Sequence, residues 1–268
     1  MIIDTHCHLP YINYNINNWE NLYINKYSKY LLFHLAKYYG FKVGCKYNDD
    51  LDKFRNDITE ETILNIDQSS LDYAILFAVD GVYDQDGNIE NKESIIYAPN
   101  SLILDLTKKH NKVLPGASLN FNRNDINEEI EYIINNKFVL IKIHPSIQQV
   151  NISDSKYEHI YRKIAEAQIP LLVHVGFESS IPGYNGIKEY NRIENLQLPL
   201  NIGCTVIAAH GGGTPMDFFG SEKESFDTVR KMLDEYPNLY LDNSATYGFH
   251  RPNRAKTMLK YSEYQNRY

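Results

Sequence analysis

The sequence predicts an α/β protein, and specifically an eight-stranded parallel (β/α) barrel. Short β-type apolar runs alternate with longer helical patterns along almost the whole chain of 268 residues. The polar residues that end four of the predicted strands, His144, His174, His210 and Asp242, are separated by 30, 36 and 32 residues. A barrel of about 250 residues spends about 31 residues on each βα unit, so this is the spacing of successive barrel strands.

Seven strands are predicted from short β-type runs, near Ile2–His6, Asp72–Val79, Val113–Leu119, Phe138–His144, Pro170–Val175, Thr205–Ala209 and Leu239–Asn243. Helical periodicity between them predicts helices at Ile126–Asn135, Tyr157–Ala167 and Phe226–Glu235, and the last of these ends before Pro237. Each predicted strand is therefore followed by a segment that can return the chain to the start of the next strand.

The segment from His8 to Asp80 is too long for one βα unit. Helical patterns at Trp19–Tyr39 and Asp50–Asn65 predict a helical insertion over about 18–66. Because this insertion follows the first strand, we expect it on the C-terminal face of the barrel, where substrate walls belong.

The other end of the barrel is predicted to be incomplete. One further unit beyond Asp242 would place an eighth strand near residue 270, whereas the chain ends at Tyr268 after a helical pattern at Arg254–Tyr264. We therefore expect one domain over residues 1–268, a TIM-barrel-like fold that lacks its closing strand.

Composition excludes several classes of protein. The chain is 43% hydrophobic and 23% charged, with a net charge of -7, which excludes a disordered chain and argues against a nucleic-acid partner. No stretch approaches the roughly 20 apolar residues of a membrane span, and the N-terminus lacks the pattern of a signal peptide. The 3 cysteines lack the CxxC spacing of a zinc-finger site. We expect a cytoplasmic protein with a small-molecule substrate and no membrane partner.

The strongest local signal is the segment Asp4-Thr5-His6-Cys7-His8, at the end of the first predicted strand. Alternate side chains of a strand point to the same face, so His6 and His8 share one side while Cys7 takes the other. Two imidazoles on one face suit the binding of one divalent ion. Two histidines at this spacing also occur by chance, so a hydrogen-bonded pair at a strand end is the alternative.

Three further predicted strands also end in histidine, in the segments IKIHP, LLVHVG and AAHGGG, at His144, His174 and His210. The carboxyl ends of barrel strands meet at one mouth, so these residues would gather beside His6 and His8. Independent core histidines would not be expected to repeat at strand ends. The set therefore predicts a metal site.

The segments DTHCH, IKIHP, LLVHVG and AAHGGG, in this order over nearly the whole chain, resemble the amidohydrolase superfamily. The resemblance is to the amidohydrolase 2 branch, which includes aminocarboxymuconate-semialdehyde decarboxylase. It implies a TIM barrel with one divalent metal ion, usually zinc, bound by His6, His8 and His174. It also implies that His210 hydrogen-bonds or polarises the reacting group near the metal.

The family pattern continues with an aspartate at the end of strand eight, in a Gly-Ser-Asp-x-Pro type of motif, and this sequence has no such motif. That aspartate completes the coordination and handles the proton in the family. Asp242, at the end of the seventh predicted strand, is the candidate catalytic substitute; alternatively it starts a loop or caps a helix. A second explanation is that the chain is a shortened version of a longer protein.

Three residues are candidates for substrate binding. Lys142 shares the inward face of strand four with His144, and we favour a role in pairing with a substrate carboxylate. The alternatives for Lys142 are an internal ion pair or carboxylation to bridge two metals, as in binuclear members of the superfamily. His144 lines the pocket or makes a strand-end hydrogen bond. Arg251 either holds a carboxylate through a two-pronged hydrogen bond or is solvated. The long loop Gly176–Gly186 follows His174, as a functional βα loop would.

The function that best fits these features is a metal-dependent hydrolase or non-oxidative decarboxylase acting on a small organic acid, amide or lactone. A nuclease of the TatD type also begins with a DxHxH strand, but it needs a glutamate at the end of strand four, where this chain has Lys142 and His144. The third hypothesis is a degenerate barrel that binds a metal or ligand without catalysis. Its unpaired strand edges would favour a homodimer or another partner.

Overall fold

The structure is a computed structural model that describes residues 1–9, 11–22, 26–38, 42–46, 50–178, 186–213, 221–246 and 253–268. These residues form two compact units. The first contains Met1–Leu140, and the second contains Ile141–Glu178 and the described residues after 185. The prediction of a single domain stays a prediction. Among the described residues, no helix is long and apolar enough to cross a membrane.

All seven predicted strands are present, with ends that lie within about two residues of those predicted. They are β1 (Ile3–His8), β2 (Tyr73–Phe77), β3 (Val113–Ser118), β4 (Leu140–Ile143), β5 (Leu171–Val173), β6 (Val206–Ala208) and β7 (Leu239–Leu241). In the first unit, β2 pairs in parallel with β1 and with β3. In the second unit, β4, β5, β6 and β7 pair in parallel in chain order. Parallel neighbours that succeed one another in sequence are the pattern of a (β/α) barrel.

Helices separate the strands. They are α1 (Lys26–Tyr38), α2 (Leu51–Gln68), α3 (Asn100–Thr107), α4 (Ile126–Asn135), α5 (Pro145–Gln148), α6 (Glu158–Glu166), α7 (Gln197–Ile202), α8 (Ala209–Gly212), α9 (Glu222–Glu235) and α10 (Arg254–Lys260). Single 3-10 turns occur at Trp19–Asn21, Ser155–Tyr157, Lys188–Asn191, Ile193–Leu196 and Ser262–Arg267. Helices α1 and α2 lie in the segment that was expected to hold the helical insertion. Helix α3 was not among the predicted elements.

Helix α9 shows how the sequence sets these bounds. It begins after Ser221, whose Oγ accepts a hydrogen bond of 3.3 Å from the backbone N–H of Glu224. The S-x-x-E spacing is the sequence signature of a capping box. Phe226, Val229 and Leu233 follow at helical spacing, and all three are buried. The apolar stripe fixes which face of the helix packs, and the cap fixes where the helix starts.

The core of the first unit lies between its strands and helices. Ala74 and Leu76 of β2 belong to one hydrophobic cluster with Ile63 and Ile66 of α2. Because strand side chains alternate, Phe77 projects from the opposite face of β2. That face carries the aromatic ring that packs beside the histidines of β1.

The described residues contain no eighth strand, so that β7 pairs with β6 alone among them. The C-terminal 3-10 turn covers part of the outer edge of β7. Arg267 Nε donates to the carbonyl of Leu239 at 2.8 Å, and Arg267 Nη2 donates to the carbonyl of Tyr236 at 2.6 Å. The guanidinium also stacks over the ring of Tyr240, 5.1 Å from its centroid. A carbonyl that a neighbouring strand would normally satisfy is thus paired with a side chain.

Candidate active site

The first pair of predicted ligands lies at the end of β1. The Nε2 atoms of His6 and His8 are 3.1 Å apart, so both rings direct the same atom to one point. The register of β1 against β2 shifts between Asp4 and Cys7. Such an irregularity redirects side chains locally. The Asp4 carboxylate stabilises it by accepting a hydrogen bond of 2.9 Å from the backbone N–H of His6.

Phe77 of β2 supports this pair. Its ring centroid lies 6.3 Å from that of His6 and 5.8 Å from that of His8. Gly116 of β3 makes room for Phe77, because a Cβ at position 116 would lie 2.5 Å from Phe77 Cδ1. The orientation of the two imidazoles therefore depends on Phe77, and the Phe77 ring fits because residue 116 is glycine.

In the second unit, the chain leaves β6 through a left-handed turn. His210 has φ 60° and ψ 39°, and Gly211, Gly212 and Gly213 follow with positive φ angles. A histidine in this conformation is strained, and such residues concentrate at functional sites. The glycines are also required sterically: a Cβ at Gly213 would lie 2.8 Å from the backbone N of Gly176. The AAHGGG segment thus forms a left-handed turn that positions His210.

A hydrogen-bonded chain holds the ring of His210. Asp242 Oδ1 accepts from the backbone N–H of His210 at 2.7 Å and from the backbone N–H of Ser244 at 3.1 Å. The hydroxyl of Ser244 donates to the same Oδ1 at 2.7 Å. Nδ1 of His210 lies 2.9 Å from Ser244 Oγ and 3.1 Å from the Ser244 carbonyl oxygen. Asp242 therefore ties the end of β7 to the turn after β6.

The chain continues through His174 to the loop after β5. Nε2 of His210 lies 3.1 Å from Nδ1 of His174. The other nitrogen of His174, Nε2, lies 3.2 Å from Oε2 of Glu178. Oε2 of Glu178 also lies 3.2 Å from Nε2 of His144, whose ring stacks on that of His174 with centroids 4.0 Å apart. The second unit thus brings four of the predicted residues together, namely His144, His174, His210 and Asp242.

Two predicted substrate-binding residues have different outcomes. Lys142 lies within β4, and its side chain is 1% exposed. Arg251 lies outside the described residues, as does the part of the Gly176–Gly186 loop from 179 to 185. The roles assigned to these residues stay predictions.

Sequence reasoning missed two members of the cluster. Glu178 follows His174 by four residues and was treated only as part of a loop. Ser244 follows Asp242 by two residues, the spacing at which an aspartate accepts from a backbone N–H in an Asx turn. This spacing was the available signal for Ser244. No sequence pattern marks Glu178, because its position depends on the path of the loop.

A separate ion-pair cluster lies beyond the carboxyl ends of β2 and β3. Arg123 donates to Asp80 at 3.3 Å, to Tyr83 Oη at 2.8 Å, to Asp125 at 2.8 Å and to Glu129 at 3.1 Å. Burial raises the pKa of Asp80, and the Arg123 guanidinium partly offsets this shift. Hydrogen bonding to Arg123 lowers the pKa of Asp125. Each of these hydrogen bonds runs from Arg123 to a residue of the same cluster.

The chain was compared with curated proteins and with solved structures. No curated protein matches the sequence. The chain is similar to the solved structure of 2,6-dihydroxybenzoate decarboxylase from Rhizobium, with 13% identity, a TM-score of 0.53 and coverage of 96% of this chain and 84% of that chain. It is also similar to 4-oxalomesaconate hydratase from Rhodopseudomonas palustris, with 15% identity, a TM-score of 0.47 and coverage of 91% and 74%.

The similarity to the decarboxylase shows a shared fold and does not fix a reaction. The profile of the family described as Amidohydrolase matches residues 3–263. The chain therefore belongs to the amidohydrolase family of enzymes, and the (β/α)-barrel fold class predicted from the sequence is confirmed.

Proposed function

We propose that the protein is a metal-dependent hydrolase or non-oxidative decarboxylase that acts on a small organic acid, amide or lactone. Membership of the amidohydrolase family supports an enzyme of this kind. The proposal assigns His6, His8 and His174 as metal ligands, and zinc as the ion. His210 and Asp242 are assigned to catalysis, and Lys142, His144 and Arg251 to substrate binding.

The Nε2 atoms of His6 and His8 fit a divalent metal ion. A tetrahedral ion with bonds of about 2.0–2.1 Å holds its ligand atoms about 3.3 Å apart. The Nε2 atoms of His6 and His8 are separated by 3.1 Å, close to this value. Neutral imidazole nitrogen is a preferred donor for zinc. A bound ion would act as a Lewis acid toward a substrate oxygen and lower the pKa of a water molecule.

The observation that carries the proposal is the chain Asp242–Ser244–His210–His174. A carbonyl oxygen only accepts hydrogen bonds, so the Ser244 carbonyl favours a proton on Nδ1 of His210. Nε2 of His210 is then the acceptor that faces His174. This orientation suits an imidazole that accepts and returns a proton at Nε2, while Asp242 fixes the ring through Ser244.

Lys142 and His144 would meet the acidic part of a substrate. Lys142 is buried, and its ammonium group would donate charge-assisted hydrogen bonds to a substrate carboxylate. A cationic side chain at this position favours an organic acid over a neutral amide. Arg251 is proposed for the same task from the sequence alone.

The test is a screen of the zinc-loaded protein against small carboxylic acids, amides and lactones, with CO2 release and acid formation as the two readouts. We expect turnover that a chelator removes and that added zinc restores. His210→Asn should reduce kcat by about 100-fold or more, because it removes a group that transfers protons. Asparagine tolerates the left-handed conformation of position 210, so this variant keeps the turn.

His159→Asn is the matched control, because His159 is exposed on α6 and its Nδ1 lies 3.0 Å from the carbonyl oxygen of Lys156. Its activity should equal that of the unchanged protein. A rate of turnover that neither the chelator nor His210→Asn reduces would contradict the proposed mechanism. A zinc-loaded protein that turns over no member of the screen would favour the degenerate, non-catalytic barrel.

A further inference from the structure

We propose that His144, His174 and Glu178 form a binding position for a divalent transition-metal ion, distinct from the ligand set that includes His6 and His8. The three residues lie at the carboxyl ends of β4 and β5 and in the loop that follows β5. Each offers one ligand atom, and these atoms all lie within 4.8 Å of one another. The position shares only His174 with the ligands assigned above, and it makes His144 a metal ligand instead of a substrate-binding residue.

The distances match a coordination sphere. Oε2 of Glu178 lies 3.2 Å from Nε2 of His144 and 3.2 Å from Nε2 of His174. Ligand atoms of a tetrahedral ion with bonds of about 2.0–2.1 Å are about 3.3 Å apart. Two imidazoles and one carboxylate are a donor set used for zinc and for iron(II), with further coordination positions left open.

The hydrogen-bond pattern leaves Nε2 of His174 as the nitrogen that faces Glu178. The Ser244 hydroxyl donates to Asp242, so Ser244 Oγ and the Ser244 carbonyl both act as acceptors toward Nδ1 of His210. The proton assigned to Nδ1 leaves Nε2 of neutral His210 as an acceptor, and Nδ1 of His174 must then donate to it.

The consequence falls on the other nitrogen of His174. If Nδ1 carries the proton, Nε2 of neutral His174 has a lone pair, and this lone pair faces the Glu178 carboxylate at 3.2 Å. Two electron-rich atoms at this distance in a buried setting repel each other unless a proton or a metal ion lies between them. A metal ion relieves that repulsion and uses the Nε2 atom of the neighbouring His144 as well.

The protein holds the two loops in place. The side chain of Asn191, 1% exposed, donates from Nδ2 to the carbonyl of Gly176 at 3.1 Å. Its Oδ1 accepts from the backbone N–H of Ser146 at 3.0 Å. One buried amide therefore ties the segment after His144 to the segment that leads to Glu178. Ligand loops fixed in this way lose little freedom when an ion binds.

The experiment measures cobalt(II) and zinc bound per chain after loading and dialysis, in three folded variants. His6→Ala/His8→Ala removes the ligands of the first strand, and His144→Ala/Glu178→Gln removes the inferred position. The third variant combines all four substitutions. We expect the His6→Ala/His8→Ala protein to retain about one ion and the combined variant to retain none. A His6→Ala/His8→Ala protein that binds neither ion overturns the inference.

The two metal proposals fail in different ways. Loss of metal from His6→Ala/His8→Ala alone would leave the proposed function standing and remove the inferred position. If His6→Ala/His8→Ala retains its metal ion while His144→Ala/Glu178→Gln loses it, the inference is supported. The ligand set assigned above is then contradicted. His159→Ala, which removes an exposed histidine of the same unit, should bind as the unchanged protein does.

A second readout uses the unchanged protein, so it does not depend on the folding of any variant. Diethyl pyrocarbonate modifies accessible imidazoles, and mass spectrometry locates each modification. We expect bound zinc to protect His144 at least tenfold while His159 stays equally reactive. Equal reactivity of His144 with and without zinc overturns the inference.

Discussion

Glycine at position 116 shows how one residue controls the setting of the candidate ligands. It lies on β3, where a Cβ would approach Phe77 Cδ1 to 2.5 Å and Ile75 Cγ2 to 2.9 Å. Phe77 is the ring beside His6 and His8. A change at position 116 therefore reaches the ligand pair through one aromatic side chain.

Gly116→Ala should destabilise the protein by about 1–3 kcal/mol, because the added methyl group overpacks a filled space. It should also weaken zinc binding, since Phe77 must move against the two imidazoles. Chemical denaturation and zinc titration measure these effects. Gly44→Ala is the control: the nearest atom to its added Cβ would be 3.6 Å away, an ordinary contact. Equal stability and equal zinc affinity for the two variants would contradict this account of Gly116.

The Asp80–Arg123 pair is a second case in which one residue has a large effect. Asp80 is 3% exposed and Arg123 is 11% exposed. Because the pair is buried, removing the arginine leaves a carboxylate without its countercharge. By contrast, the pair of Arg162 and Glu158 is on the surface, where such pairs contribute little.

Arg123→Ala should cost about 3 kcal/mol of stability at pH 8, whereas Arg162→Ala should cost less than about 0.5 kcal/mol. The cost should shrink at pH 5. Burial raises the pKa of Asp80, and without the offset from Arg123 that pKa rises further, so protonation at low pH relieves the penalty. Urea unfolding at the two pH values measures this. A cost that stays constant or grows at pH 5 would be inconsistent with a buried, ionised Asp80.

At the scale of elements, periodicity predicted the strands and most helices well. The bounds Ile126–Asn135 of α4 agree with those predicted, because Ile126, Ile130 and Ile133 form an unbroken apolar stripe. Helix α3 was missed, because Asn100–Thr107 is short and directly follows Pro99. The predicted helix Arg254–Tyr264 is α10 followed by a 3-10 turn, a change of winding that periodicity does not resolve.

The outer edge of β7 is the element whose protection the sequence could not show. An unpaired strand edge was expected to be sticky, and Arg267 instead occupies part of that edge by donating to Leu239 and Tyr236. An arginine placed 28 residues after its acceptor gives no pattern in the sequence. The homodimer that this expectation favoured stays a prediction.

Arg267→Ala should expose the Leu239 carbonyl at the β7 edge. We expect a loss of about 1–3 kcal/mol of stability and more association as the protein concentration rises, because an unpaired strand edge can pair with another chain. Light scattering after size-exclusion chromatography, together with urea unfolding, measures both effects. Lys260→Ala, at the end of α10, is the control. An Arg267→Ala protein with the stability and mass of the unchanged protein would contradict the edge-covering role.

For the molecule as a whole, the sequence predicted the fold class and family from four histidine-bearing segments at strand ends. The same segments predicted His144, His174 and His210, which the second unit brings together with Asp242. The contribution of Glu178 could not be predicted, because it depends on the path of the loop after β5. Ser244 had a signal in its spacing from Asp242, but not in its contact with His210, which joins two separate loops. Strand periodicity fixes where a strand ends, but not which way the following loop turns.

The central claim is that this chain uses its histidines to hold a divalent metal ion. The most direct measurement is the metal content of the purified protein and of His174→Ala, by elemental mass spectrometry after zinc loading and dialysis. His174 belongs to both proposed ligand sets, so its loss should lower the zinc content more than any other single histidine change. His159→Ala is the control that should keep its zinc. The account predicts at least about one zinc per chain in the unchanged protein and little in His174→Ala. Zinc-free protein after loading, or His174→Ala that retains as much zinc as the control, would contradict it.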